Sequence, residues 1–351
     1  MAHCRAIFAL LLSSIASATM VTAAEPQAGA SPADHLPPHI SRLTSFGERA
    51  DWSHDGKKIL FLSKTFGDAM EIDLATKALR NLTAHYPHYG YTRALYLANG
   101  DILLSGPESF DAAKPAESRI RCFLWVLDKS RTKPAVPLGV RCNEGPAVSR
   151  RRMHVAWTEW LGQPTAAVPP TSSQIHEADI IDEEGTPKLT NRRLVLDSSD
   201  LSFRCTMECQ NFRPPAETEL TFAAYQLDSD GADVCSVEID TKKVTKHTDS
   251  SDTFDEPEGI FPDGRSTLVE CDRQNHLGSG HNDLWRLALD GSGEYERLTY
   301  FSDYPGYKAS NPVVSDDGRF IAFQMAKSGE AAGVGHGIFI YRLDDFQAQP
   351  R

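Results

Sequence analysis

Short bursts of alternating and near-continuous apolar residues run through most of the chain, each broken by a glycine-containing turn. ADWSHDGKKILFLS from Ala50, PEGIFPDGRSTLVE from Pro257 and NPVVSDDGRFIAFQ from Asn311 are near copies of one another. Each reads as strand, Asp-Gly turn, strand, because Asp-Gly supplies the positive backbone angles of a tight hairpin. Weaker copies begin at Arg93 (RALYLANGDILLSG), Gly145 (GPAVSRRRMHVAWT) and Gln210 (QNFRPPAETELTFAAY). A third strand follows each hairpin: AMEIDLA, RCFLWVLD, IHEADIID, DVCSVEID, NDLWRLALD and GIFIYRLDD. Short half-apolar phrases ending in threonine recur between them, at Thr44, Thr83, Thr190, Thr248 and Thr299.

The repeat of about forty to sixty residues is that of a four-stranded blade, which cannot bury both of its faces alone. Six such units fit the chain, and the pattern predicts an all-β fold: a six-bladed β-propeller of four-stranded blades. The sixth unit stops after its third strand, whereas ISRLT at Ile40 to Thr44 is an outer strand with no blade before it. We expect this N-terminal strand to pair in the last blade and close the ring, removing an open edge. The expected divisions are a leader at 1–24, a flexible tail at 25–38, one propeller domain at 39–346 and a short tail at 347–351.

The S-x-D-G-[K/R]-x-[I/L]-x-F pattern, the third strand ending in Asp and the R-L-T phrase resemble the TolB-like family of six-bladed propellers. The resemblance covers nearly all of the chain beyond the leader and is strongest in units one, five and six. It implies the fold and is uninformative about activity. TolB carries an α/β domain before its propeller, and here a short Pro/Ala-rich stretch stands in that place. A weaker, architectural similarity links the chain to the oligogalacturonate lyases, whose funnel histidines bind a metal, and it assigns no residue here.

Met1 to Arg5 is basic, Ala6 to Ala18 is apolar, and Thr22-Ala23-Ala24 has small residues at a cleavage position, which reads as a secretory signal. A periplasmic or extracellular location follows, with no transmembrane anchor and a monomeric product. The net charge of -12 argues against nucleic acid as a partner, since both fields are negative. Beyond the leader stand Cys122, Cys142, Cys205, Cys209, Cys235 and Cys271, an even set that suggests disulfides in an oxidising compartment. The expected pairings are Cys122 with Cys142, Cys235 with Cys271, and Cys205 with Cys209 across a small loop.

The starts of the first strands gather around the propeller axis, and every unit brings a charged or amide side chain there. Arg49, Arg93, Glu144, Asn211, Glu258 and Asn311, with Arg273 on a neighbouring loop, are the candidate ligand-binding residues. Gly-His precedes the third strand in units five and six, so His281 and His336 fall at equivalent points, with His176 at a similar point in unit three. These imidazoles with Glu258 suggest one divalent metal ion as cofactor, or acid and base groups, and His281, His336, Glu258 and Arg93 are the catalytic candidates. Two readings stand: a binding module for a protein, peptide or glycan ligand, and a metal-assisted carbohydrate-active enzyme acting as lyase or hydrolase.

Overall fold

The computed structural model describes residues 29–343 apart from 163, 166, 331 and 332, and the side chain of Glu144 is also outside the described set. The leader expected at 1–24 and the short tail at 347–351 lie outside the described residues. The described chain forms six four-stranded antiparallel sheets, each built from strands consecutive in sequence except the last. Blade one has its strands at Glu48–Trp52, Lys58–Leu62, Ala69–Asp73 and Leu79–Asn81, and blade two at Arg93–Tyr96, Ile102–Pro107, Cys122–Leu127 and Val136–Arg141. Blade three uses Glu144–Val148, His154–Trp160, Ser173–Glu183 and Thr186–Asp197, and blade four Cys205–Phe212, Glu219–Gln226, Ala232–Glu238 and Val244–Lys246. Blade five comprises Asp255–Ile260, Ser266–Cys271, Asp283–Ala288 and Tyr295–Arg297. Blade six has Tyr307–Val314, Phe320–Lys327 and Ile338–Arg342, and takes its outer strand, Ile40–Arg42, from the start of the described chain.

That closure pairs Ile40 with Tyr341, Ser41 with Ile340 and Arg42 with Phe339. Ile40 is buried among the side chains of blades five and six. The chain just before it is anchored too: Pro32–Asp34 is a short 3-10 turn capped by Ser31, and Ala33 and Leu36 pack on the same cluster.

Apolar side chains fill the spaces between neighbouring blades, one cluster to each space. Lys58–Leu62 shows how. Leu60 and Leu62 face blade two, while Ile59 and Phe61 face blade six, so successive residues of one strand serve two different cores. A strand buried on both faces reads as a continuous apolar run, which is why KILFL lacks alternation.

The repeated hairpin motif has a defined set of bonds. In blade one the Ser53 hydroxyl accepts from Lys58 N–H at 2.9 Å, Asp55 accepts from Lys57 N–H at 3.1 Å, and Gly56 N–H returns to Ser53 O at 2.9 Å. Blade six repeats this through Ser315, Asp317 and Gly318. In the four hairpins that join first and second strands through Asp-Gly or Asn-Gly, only the glycine takes a positive φ, at Gly56, Gly100, Gly264 and Gly318, so the residue before it serves as an acceptor for the turn and the glycine alone supplies the left-handed angle.

The recurrent threonine is a lock between the outer strand and the third strand. Thr299 Oγ1 donates to Asp283 at 2.7 Å and accepts from Leu284 N–H at 2.9 Å. Thr83 with Asp68 and Ala69, and Thr248 with Asp233 and Val234, make the same pair of contacts. At the closure Thr44 Oγ1 accepts from Ile338 N–H at 2.9 Å, and Gly337 stands where the other blades have aspartate. Thr190 does not belong to this series. It lies mid-strand opposite Asp179, because the last two strands of blade three run 11 and 12 residues, and Ser198 takes the lock position by accepting from Ser173 N–H at 3.0 Å.

Replacing Thr299 with valine strands the buried Asp283 carboxylate of one donor and is expected to cost about 1–3 kcal/mol of unfolding free energy. The same change at Thr190 is expected to cost about 0.5 kcal/mol or less. Urea unfolding of the two variants checks the assignment of the lock.

Candidate functional site

Five of the six first strands carry a β-bulge at the same level of the ring, at Glu48/Asp51, Glu144/Ala147, Cys209/Asn211, Pro257/Gly259 and Ser310/Val313. A bulge adds a residue on one strand and re-aims its side chain. Arg49 and Asn311 sit in these bulges with positive φ, at 54° and 48°. Gly145 holds the equivalent place in blade three, where a Cβ would lie 2.2 Å from Cys209 O. Glu258 and Gln210 are the extra residues of blades five and four.

The bulges shape an axial funnel with a cavity of about 400 Å³ that opens where the first strands begin. Arg49, Arg93, Glu258 and Asn311 line it, together with Glu256 and Glu270. Asn211 sits lower in the channel, donating to Glu258 O at 2.9 Å, and Arg273 lies away from the funnel, 3.5 Å from Asp255 and over the Tyr295 ring. The Glu144 side chain lies outside the described residues.

Charge is unevenly spread on the funnel wall. Blades four and five bring only carboxylates, Glu208, Glu256, Glu258 and Glu270, whereas the bases, Arg49, Arg93 and Lys308 among them, come from blades one, two and six, which also add Glu48 and Glu330. Arg93 crosses the axis from blade two, its Nη2 standing 3.6 Å from Glu208 and 3.7 Å from Glu258. Asn311 organises the carboxylates: its N–H donates to Glu270 at 2.6 Å and its amide to Glu258 at 2.7 Å. The Tyr225 hydroxyl lies within hydrogen-bond distance of both Glu208 and Glu256. One hydroxyl has a single proton, so only one of these carboxylates receives it at a time.

Carboxylate oxygens of Glu256, Glu258 and Glu270 all lie within 4.8 Å of one another. Two full charges at that separation repel by about 3 kcal/mol at an effective dielectric of 20. Burial, then the Glu208, Glu258 and Glu270 charges, hold Glu256 well above the ordinary carboxylate range. Burial also raises Glu258, with Arg93 pulling the other way.

The three histidines do not converge on the funnel. His336 pairs with Glu330 at 2.6 Å, His281 bonds to Leu277 O at 3.1 Å in the 3-10 turn Ser279–His281, and His176 stacks on Trp157 within blade three. None of them is among the described residues that line the cavity. Glu208, Glu270 and Tyr225 are funnel residues that sequence reasoning missed. A signal was available for Glu270, a carboxylate in the otherwise apolar strand STLVEC, which is buried throughout.

The cysteines require a correction. Cys205, Cys209, Cys235 and Cys271 are free, buried thiols. Cys205 and Cys209 lie in one extended strand, so their Cα atoms are about 13 Å apart, beyond the reach of a disulfide. Cys235 faces blade three while its neighbour Val234 faces Cys271, so alternation along the strand turns the two thiols apart. Cys122 and Cys142 are also buried, next to one another, with Cys142 N–H donating to Cys122 O at 3.0 Å.

Below the Arg93 crossing the channel widens into a second cavity of about 310 Å³, walled by Leu95, Val148, Phe212, Ile260 and Val313. A second arginine crosses beneath it. Arg150, from blade three, donates to Trp52 O at 2.8 Å and to Asp316 at 2.9 Å, joining blades one and six. His54 meets Asp316 at 3.0 Å through one ring nitrogen and Leu97 O at 3.0 Å through the other. Two acceptors favour the doubly protonated ring.

No protein-family model and no curated protein sequence matches the chain. Solved propellers do. TolB from Acinetobacter baumannii is 17% identical with a TM-score of 0.45, over 84% of this chain and 65% of that one, so the chain spans about two thirds of TolB's length. A gluconolactonase from Xanthomonas campestris is 11% identical with a TM-score of 0.53, over 86% and 88%. An oligogalacturonate lyase in complex with manganese is 16% identical with a TM-score of 0.46, over 86% and 79%. At these identities the likeness is one of fold.

The lower crossing generates a pH dependence. The bond to Asp316 is the largest cause raising His54 above its ordinary value of 6.5. A raised histidine stabilises the fold fully below that ordinary value and loses its contribution as pH rises through the folded-state pKa. Asp316 is lowered: burial opposes this, and the bonds to His54 and Arg150 outweigh it. The pair is therefore expected to add about 1 kcal/mol or less at about pH 5.5 and nothing at about pH 9. Urea unfolding at the two pH values should show this difference in the parent and its absence in His54→Asn.

Proposed function

We propose that the chain is a binding module that acts outside the cytoplasm and takes a polar ligand, a peptide segment or a glycan, into the axial funnel. The observation that carries this reading is a funnel wall on strands that bears both signs of charge, with the carboxylates of blades four and five facing Arg49, Arg93 and Lys308 across one cavity. A wall of this kind complements a ligand with both signs of charge, such as a peptide end, and its positions are set by bulges rather than by loops. Trp160, Tyr225 and Phe254 add aromatic surface at the same cavity. The basic, apolar and small-residue order of the first 24 residues supports export. Among the described residues no helix is long and apolar enough to cross a membrane.

One observation favours the second reading, a metal-assisted carbohydrate-active enzyme. Glu256 and Glu258, both raised above the ordinary range, share the funnel floor, and a carboxyl that keeps its proton can serve as a general acid. The likeness to propellers named as a gluconolactonase and an oligogalacturonate lyase is one of fold and assigns no substrate.

Isothermal titration with zwitterionic tetra-alanine, its acetylated and amidated form, maltotetraose and tri-galacturonate tests the proposal. Binding of the zwitterionic peptide, weakened about tenfold (about 1.4 kcal/mol) by Arg49→Gln, is the expected result. Binding that ignores Arg49→Gln removes the funnel reading, and turnover of tri-galacturonate to shorter products replaces it with the enzymatic one.

A further inference from the structure

We infer that Glu256, Glu258 and Glu270 hold one hard divalent cation, calcium in preference to zinc, at the floor of the funnel. The inference rests on reading the funnel as a ligand site, and it names a chemical component of that site.

Geometry comes first. Each of the three residues offers an oxygen within 4.8 Å of the other two. Calcium binds oxygens at about 2.4 Å, so the ligand oxygens of one ion lie at most about 4.8 Å apart, the limit within which these three fall. Among the described residues no other group of three or more carboxylate, imidazole or thiol ligands is this compact.

A second, independent feature points to the same place. Ser310 is 3% exposed and lines this cavity, yet its hydroxyl oxygen has no hydrogen-bond partner. Buried hydroxyls are ordinarily satisfied, so one without a protein partner beside a carboxylate cluster offers its oxygen to a ligand. Asn282 shows a related defect: fully buried, it donates its amide N–H to Glu270 at 3.2 Å while its carbonyl oxygen has no partner.

The donor set decides which ion. Carboxylates and a hydroxyl are hard oxygen ligands, suited to calcium, magnesium or manganese, whereas zinc sites recruit imidazole or thiolate. His176, His281 and His336 stand elsewhere, bonded to protein acceptors. Calcium accepts irregular oxygen shells, whereas magnesium demands a near-ideal octahedron, so a three-carboxylate site of this kind favours calcium. Asn311 and Asn282 hold Glu258 and Glu270 through their amides, the outer-shell support that fixes ligand rotamers before an ion arrives. Arg93 forms an ion pair with Glu258 at 3.7 Å, so a bound cation would share that carboxylate with the guanidinium.

The test uses the full exported chain, stripped with chelator and desalted, and titrated separately with calcium, magnesium, zinc and n-butylammonium chlorides. Calcium is expected to bind one ion per chain and to raise Tm in a concentration-dependent way. Glu258→Gln should weaken calcium binding about a hundredfold and Ser310→Ala about tenfold. Glu256→Gln, whose contact is with the Tyr225 hydroxyl, serves as a second carboxylate variant should Glu258→Gln not fold. Three results overturn the proposal: no response to calcium at millimolar concentration, calcium binding unchanged in Glu258→Gln or Glu256→Gln and in Ser310→Ala, or tighter binding of zinc or butylammonium than of calcium. Tetra-alanine titration separates the two readings, because loss of peptide binding with calcium binding intact defeats only the module.

Discussion

Three backbone pairings between residues 40–42 and 339–341 turn a row of sheets into a ring. Without them blade six has an unpaired edge on Ile338–Arg342, and the space between blades five and six loses the Ile40 side chain that helps fill it. An open seam would let every neighbouring blade drift, since each inter-blade core depends on a fixed angle between two sheets. The funnel inherits this dependence. Its residues come from different blades, and their separations mean something only while the circle is closed.

Closure also explains why so much charge survives in the interior. Carboxylates from blades four and five are buried at the axis, where repulsion between them would favour expansion. Two arginines oppose that expansion by crossing the channel at different depths, Arg93 from blade two and Arg150 from blade three. Neither is a simple surface ion pair, because each reaches blades far from it in sequence and lies close to buried acids. The bulges set the height of the upper layer, and the turns between first and second strands set that of the lower one, since Arg150 follows Ser149 and Asp316 follows Ser315 in such turns.

The parts of the fold that repeat were the parts that could be read. The hairpin motif, the threonine phrase and the unpaired first strand each recur or fail to recur in a way that only a ring of blades accommodates. PKLT at Thr190 shows the limit of that method: it matches the phrase by letters, but the long last strands of blade three move the lock to Ser198. Two of the expected cysteine pairings failed for a similar reason. Cys205 and Cys209 look like loop neighbours until the strand that contains both is known to start at Cys205. Arg49, Arg93, Glu258 and Asn311 were legible because first-strand starts lie at the axis in any propeller. His281 and His336 were over-read, since a shared place in the repeat puts two residues at equivalent points on separate blades and does not bring them together.

Local sequence determined the blades, because hairpin chemistry and alternating burial act over a few residues and repeat six times around the ring. It also determined that polar side chains would meet at the axis. Which of them touch was decided by tertiary structure alone. A bulge shifts a strand by one residue and reverses the face its side chains present, and no letter in the sequence marks it in advance. Glu256, Glu258 and Glu270 therefore became a cluster only when two strands of blade five met in their final register, with Ser310 and Asn311 of the next blade set against them.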